Sequence, residues 1–287
     1  MGEPPKRTPP NLTRTGVTVL GNFSVDHVDD EPASPGGCPV FAAMALGAMA
    51  RPGRVVARLS HDDLPLFQSI FDRYGELISP LWTPRTSSFA LRYRDGGRRM
   101  NVNAISEPWA EAEIEEAAIA TTWVHLAPLL RGDFPLEFLR ALGARGHRVS
   151  LDGQGLVRVP RLGPLHLDDD FDRGLLDQIE VLKLNQEEAE ALAGGPFDTP
   201  TATRLGIAEI LVTFGAGGCD LYLHGERNHI PARAIEDVQT TGTGDAFMVS
   251  YLADRAAGLA PLKAASRARE MVADLLEARR AAEPAGQ

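Results

Sequence analysis

The segment Thr240-Thr241-Gly242-Thr243-Gly244-Asp245-Ala246-Phe247 sets two glycines and three threonines just before an apolar helical run, Ala246 to Leu252, with a carboxylate at its start. The first turn of a helix leaves backbone N–H groups unpaired and carries a partial positive charge. Glycines let that backbone approach an anion closely, so Gly242, Thr243 and Gly244 read as a phosphate cradle. Asp245 would repel the anion that such a cradle binds. It fits if it is the base that takes a proton from a hydroxyl attacking a phosphoryl group. Cradle plus base describes phosphoryl transfer to an alcohol. The competing structural reading makes Asp245 a helix cap, a role worth about 0.3–1 kcal/mol.

These residues must be positioned by an α/β framework. Val17–Leu20, Arg54–Leu59, Trp123–Leu126, Arg148–Leu151, Glu180–Leu184 and Ile210–Phe214 are short apolar or β-branched runs that predict strands. Met44–Ala50, Leu64–Tyr74, Glu111–Ala120, Pro135–Ala144, Gln186–Leu192, Ala246–Arg255 and Leu262–Arg279 carry helical patterns. Strands alternating with helices imply a mostly parallel sheet covered on both faces. Ligands of such sheets bind outside the carboxyl ends of the strands. Asp26, Asn185 and Gly215 each follow a predicted strand and so fall at that edge.

Each of these positions has a plain structural reading beside the chemical one. Asp26 can accept charge-assisted hydrogen bonds from neighbouring hydroxyls of a polyol, or be a solvated loop acid. Gly36-Gly37 can bring backbone N–H groups to a substrate, or form a tight turn. Asn185 and Glu188 lie three apart at a helix start and share a face, which is also the spacing of a capping box. Thr213-Phe214-Gly215-Ala216-Gly217-Gly218 suits a loop lying against a nucleotide, or a glycine-rich turn. Arg158, after Asp152-Gly153-Gln154-Gly155, can hold a phosphate through its planar fork, or sit on the surface.

Ser87–Arg94 and Arg99–Asn103 break the alternation: they are strand-like and joined by Asp95-Gly96-Gly97-Arg98, a strong hairpin signal. Phe89, Leu91 and Tyr93 fall on one face. The hairpin is either an edge of the main sheet or, with the segment from Phe23 to Ser34, a small β lid.

Composition narrows the class. The 287 residues are 44% hydrophobic, enough for a full core, and carry a formal net charge of −10. With basic residues scattered, nucleic acid is an unexpected partner. Two cysteines, Cys38 and Cys219, cannot build a disulfide framework and predict buried thiols in a reducing compartment. There is no signal-peptide pattern, and the longest uncharged run, Pro32 to Ala50, holds prolines and glycines unsuited to a membrane span. A soluble cytoplasmic protein is expected, with loose tails at residues 1–14 and 281–287. The seven histidines lack metal-ligand spacing, and neither a Gly-x-Ser-x-Gly elbow nor a P-loop motif is present.

The octet at 240–247 resembles the C-terminal signature of the ribokinase-like (PfkB) carbohydrate kinases, usually Asp-Thr-Thr-Gly-Ala-Gly-Asp-Ala-Phe. Val17 to Gly21 followed by Asp26 is similar to that family's first strand and substrate-binding aspartate, Gly36-Gly37 to its diglycine, Asn185-Gln186-Glu187-Glu188 to its Asn-x-x-Glu, and Thr213 to Gly218 to its nucleotide loop. The resemblance covers roughly Thr15 to Leu275. It implies a three-layer α/β/α sandwich over residues 15–280, with lid segments at about 22–34 and 86–104 and a homodimer contact through the lid. It implies ATP and Mg²⁺, with Asp245 as base and Gly242, Thr243 and Gly244 as anion hole. It further implies Asp26, Gly36, Gly37 and Arg158 on the acceptor, Asn185, Thr213, Gly215 and Gly218 on the nucleotide, and Glu188 on the metal through water. The acceptor that the resemblance implies is a sugar or polyol, with nucleosides or inositol as the alternative and a catalytically weak metabolite-binding regulator as the non-enzyme one.

Three departures qualify the match. Gln239 stands where the family usually has Asp, which predicts weak activation by potassium. Cys38 and Phe41 stand where ribokinase has Lys and Asn, which predicts a less polar acceptor pocket. The chain ends soon after the octet, which predicts a reduced wall on the adenine side.

Overall fold

The computed structural model describes residues 13–49, 51–94, 97–233, 235, 238 and 240–282. In chain order the strands are β1 (Thr13–Asn22), β2 (Ser24–Val28), β3 (Ser34–Gly36), β4 (Gly53–Leu59), β5 (Ile78–Trp82), β6 (Ser87–Arg94), β7 (Gly97–Ala104), β8 (Thr121–Ala127), β9 (Arg148–Asp152), β10 (Gly163–Pro164), β11 (Val181–Asn185), β12 (Glu209–Thr213), β13 (Cys219–Leu223) and β14 (Glu226–Ile230). The helices are α1 (Cys38–Met49), α2 (Leu64–Tyr74), α3 (Ala112–Glu116), α4 (Leu136–Ala144), α5 (Gln154–Val157), α6 (Gln186–Ala193), α7 (Thr199–Leu205), α8 (Thr243–Ala256) and α9 (Pro261–Ala282).

The main sheet runs β14-β13-β12-β11-β9-β8-β1-β4-β5. It is parallel from β12 to β5 and ends in the antiparallel meander β12-β13-β14. Both faces are covered, and each carries its own apolar cluster. This explains the near-continuous apolar strands, since a parallel sheet is buried on both sides. Helix α8 packs against β1, β8, α1 and α9. It is buried almost throughout from Ala246 to Ala256, so its apolar residues run all round rather than along one stripe.

The hairpin is not an edge of this sheet. Strands β6 and β7 join β2, β3 and β10 in a second sheet of order β10-β7-β6-β2-β3. Phe89, Leu91 and Val102 pack from it onto Leu129 and Leu130 of the loop after β8.

Several boundaries depart from the sequence reading. Helix α1 begins at Cys38 instead of Met44, because Gly37 turns with φ +90° and Pro39 suits a first helical turn. The helix expected over 111–120 stops at Glu116. Ala118 takes a left-handed φ of +47°, and Ile119 returns to the core. Strand β1 starts at Thr13, inside the expected tail, and α9 continues to Ala282. Residues 1–12, Asp95, Gly96, Gln239 and 283–287, on which the tail, turn and cation readings fall, lie outside the described residues. No helix among the described residues is long and apolar enough to cross a membrane.

The carboxyl end of β1 is fixed by a buried polar knot. Asn22 donates through Nδ2 to Asp133 Oδ2 at 3.0 Å and accepts from Trp109 Nε1 at 3.0 Å. The backbone N–H groups of Leu129 and Leu130 also donate to Asp133 Oδ2, at 2.8 and 3.3 Å. Asp133→Ala should destabilise the protein by about 1–3 kcal/mol for each buried donor left without water or a new partner. Urea denaturation measures this, and a change below 1 kcal/mol would show that the knot carries no net stability.

Candidate active site

The octet folds as the sequence pattern demands. Gly242 precedes α8 in a left-handed conformation, φ +78°, and the helix starts at Thr243. The loop is tied from both sides. Thr243 donates through its hydroxyl and its N–H to Thr240 O, at 2.8 and 3.2 Å. Arg279 of α9 donates to Thr241 O at 2.9 Å and lies over the Phe41 ring, 6.0 Å from its centroid. Phe41 of α1 presses on the same loop: a Cβ on Gly242 would stand 2.1–2.3 Å from its ring atoms. A side chain at 242 has neither the backbone conformation nor the space.

Asp245 is not a helix cap. No side chain caps α8, and the Asp245 carboxylate lies beside the Cys38 thiol, whose pKa it raises. Burial raises the Asp245 pKa to about 6, with Lys183 opposing the shift and Asp152 adding to it. The thiol of Cys38 is itself pushed far up, by burial first and then by Asp245.

Lys183 is the residue that the sequence reading missed. It sits in β11 directly beside Asp152 of β9, with Nζ 3.0 Å from Asp152 Oδ2, and its side chain is 5% exposed. A lysine inside Val181-Leu182-Lys183-Leu184 was a usable signal, because a charge in a central strand must find a partner. Burial pulls its pKa down, but Asp152, Glu188 and Asp245 outweigh burial and hold the ammonium charged.

Asn185 and Glu188 form a full capping box on α6. Glu188 N donates to Asn185 Oδ1 at 2.8 Å, and Asn185 N donates to Glu188 Oε2 at 3.0 Å. The remaining Glu188 oxygen, Oε1, accepts from Arg158 at 3.0 Å, and the Glu188 side chain is 1% exposed. Arg158 therefore belongs to the cluster of Glu188, Asp152 and Asp245, whose charges it also feels.

Asp26 and the diglycine come together separately. Strands β2 and β3 place Gly36 so close that a Cβ there would stand 2.2 Å from Asp26 Oδ2. Asp26 Oδ1 accepts from Ser24 Oγ at 2.8 Å. Gly37 packs on the backbone of β1, its missing Cβ 2.5 Å from Asn22 O. The next residue is Cys38, which links this group to Asp245.

A cavity of about 170 Å³ opens on the other side of the octet. Thr213, Gly215 and Gly218 line one side, and Thr243, Gly244 and Phe247 the other. Its outer wall is largely apolar, from Ile230, Val272 and Leu276. Gly218 is needed there: with φ +91°, its Cβ would stand 2.3 Å from Ile230 O. Asn185 does not line this cavity.

Among the described residues, no group of three His, Cys, Asp or Glu side chains could hold a metal ion by itself. Both Glu188 oxygens are engaged, and Asp152 is paired with Lys183. Such a donor set would suit Mg²⁺ only if the ion arrived on donor phosphates and kept several waters.

The model of the pfkB family of carbohydrate kinases matches residues 148–276. Fructokinase of Klebsiella pneumoniae is 26% identical over 264 residues, covering 84% of this chain and 84% of that relative. Inositol 3-kinase of Zea mays is 25% identical over 250 residues, covering 80% of this chain and 62% of that relative. A pyrophosphate-dependent kinase of the ribokinase family, complexed with a pyrophosphate analog and myo-inositol, has a similar fold with a TM-score of 0.79. It is 24% identical, covering 91% of this chain and 95% of that chain. Ribokinase of Arabidopsis thaliana, complexed with ribose and ATP, has a TM-score of 0.65 at 20% identity, covering 92% of this chain and 99% of that chain.

Proposed function

We propose that this chain, matched over residues 148–276 by the pfkB family of carbohydrate kinases, is a kinase of that kind that transfers the terminal phosphoryl group of ATP to a hydroxyl of a small sugar or polyol. One observation carries this reading. Asp245 stands between the Cys38 end of the diglycine group and the Gly244 end of the cavity, with its carboxylate unused as a cap. An acceptor held by Asp26, Gly36 and Gly37 and a donor lodged along Thr213–Gly218 would meet there.

In this mechanism Asp245 removes the proton of the acceptor hydroxyl. The N–H groups of Gly242, Thr243 and Gly244 would stabilise charge on the phosphoryl oxygens, that of Thr243 turning to the ligand from Thr240 O, to which it donates in this structure. Such reactions depend chiefly on positioning and electrostatics. Mg²⁺ on the donor phosphates would neutralise their charge, with Glu188 orienting one of its waters. Asn185 shapes this edge through its capping box, and Arg158 holds Glu188 in place.

The largely apolar wall beyond Gly244 favours a donor with a base, hence ATP. Pyrophosphate is the alternative donor, raised by the structural neighbour named above. For the acceptor, Cys38 and Phe41 make the pocket less polar than one lined by Lys and Asn, which keeps inositol and nucleosides beside sugars. The test combines Mg·ATP or Mg·pyrophosphate with a panel of sugars, polyols, inositols and nucleosides and detects the phosphorylated product. Turnover with ATP and a sugar or polyol supports the reading. Turnover with pyrophosphate alone would replace the donor, and binding without turnover on either donor would favour a regulator.

Asp26→Ala should weaken acceptor binding about ten- to a hundredfold, the equivalent of one charge-assisted bond of roughly 1.5–3 kcal/mol. ATP affinity should be unchanged. Calorimetric titration of each ligand decides this, and equal loss for both would place Asp26 outside the acceptor site.

A further inference from the structure

Lys183 has more donor capacity than its known contacts use. An ammonium carries three N–H donors, and among the described residues its hydrogen-bond partner is Asp152. The ammonium lies directly beneath the first turn of α8: a Cβ on Gly244 would stand 3.3 Å from Nζ and 3.4 Å from Cε. Gly244 also lines the cavity, so a phosphoryl group reaching past it from the cavity toward Asp245 arrives beside Nζ.

Charge balance points the same way. Three carboxylates, Asp152, Glu188 and Asp245, share the two cations Lys183 and Arg158. Lys183 is paired with Asp152 and Arg158 with Glu188, which leaves Asp245 as the surplus negative charge. An incoming phosphoryl group adds further negative charge beside Asp245. Backbone N–H groups carry only partial charge, and Lys183 is the full positive charge in contact with the same turn.

We propose that Lys183 is a catalytic residue that binds the transferring phosphoryl group, its ammonium donating to a phosphoryl oxygen from the sheet side while the amides of α8 donate from the helix side. This rests on the phosphotransferase reading above. In the transfer, the bond from phosphorus to the leaving phosphate oxygen breaks and the bond to the acceptor oxygen forms. The acceptor proton passes to Asp245. Lys183 keeps its proton throughout, and Asp152 is a positioning residue that fixes the ammonium.

The experiment compares Lys183→Met with the double variant Lys183→Met/Asp152→Asn, which also neutralises the carboxylate that the ammonium is paired with. Thermal denaturation first establishes that the double variant is folded. Turnover with Mg and the donor that serves the wild type should fall about ten- to a hundredfold in both variants, the loss of one charge-assisted bond. The acceptor KM should stay at the wild-type value. Calorimetry with a non-hydrolysable ATP analogue and with adenosine should show loss for the analogue alone. A folded double variant that keeps half of wild-type turnover would reduce Lys183 to a counter-ion of Asp152 and overturn the proposal, as would equal loss of analogue and adenosine. Failure of the wild type to phosphorylate any acceptor from either donor is visible before any variant is made. That result would overturn the phosphotransferase reading and this proposal together.

Discussion

Asp245→Asn should lower kcat by about 10²–10⁴-fold with little change in nucleotide affinity, the loss expected on removing a general base. The substitution is nearly isosteric and removes no helix cap, because α8 has no side-chain cap. What is lost is the capacity to take a proton. A mutant keeping more than a tenth of wild-type turnover at saturating substrate would overturn the assignment of the base.

The pH dependence follows from the same group. Burial raises the Asp245 pKa to about 6, and the base works only when ionised. The acid limb of kcat/KM should therefore fall as pH drops through about 6, and this limb should vanish in the residual activity of Asp245→Asn. The stability effect has the opposite sense. A carboxyl whose folded pKa is raised contributes stability that is complete below its ordinary range and lost as pH rises through about 6. Asp245→Asn should thus raise Tm at pH 8 relative to wild type and have little effect at pH 4. A lower Tm at pH 8 would mean that the carboxylate is structurally satisfied.

Gly242→Ala should cost about 10²–10³-fold in kcat, the range seen when an anion-stabilising donor is lost. Two independent obstacles stand at this position. The φ of +78° suits glycine, and a Cβ would overlap the Phe41 ring at 2.1–2.3 Å. Either the loop or α1 must shift, and the hydrogen bonds to Thr240 O and Thr241 O resist a loop shift. Adding Phe41→Ala removes the clash but not the backbone strain, so it should restore turnover in part. Gly242→Ala activity above a tenth of wild type would place the anion hole elsewhere. No recovery in the double variant would make the backbone conformation the whole cause.

Much of the framework was legible because its signals are local. The alternation of apolar runs and helical patterns implied the parallel sheet. The Thr-Gly-Thr-Gly-Asp pattern marked the start of α8, and the spacing of Asn185 and Glu188 the capping box. The hairpin around residues 87–104 was visible, but its membership of a second sheet depended on its pairing with β2, far away in sequence. Strand β14 and helix α7 escaped for a related reason. Arg227-Asn228-His229 in β14 and the prolines and threonines around α7 have weak intrinsic preference, and packing decides their state.

The site divides along the same line. By itself, the sequence determined which backbone could cradle an anion, where a carboxylate stood beside it, and that the chain resembled a carbohydrate kinase. These features lie within a few residues of one another, where turn and helix-end chemistry acts. Only the tertiary structure decided that Asp245 lies beside Cys38 instead of capping its helix, that Phe41 closes over Gly242, and that Arg158 joins Glu188. It alone put a lysine of β11 beneath Gly244 of α8. Those contacts join residues 30 to 207 positions apart. Their existence depends on strand register and helix placement, because a side chain's face is set by its own strand but its neighbour by the strand laid beside it.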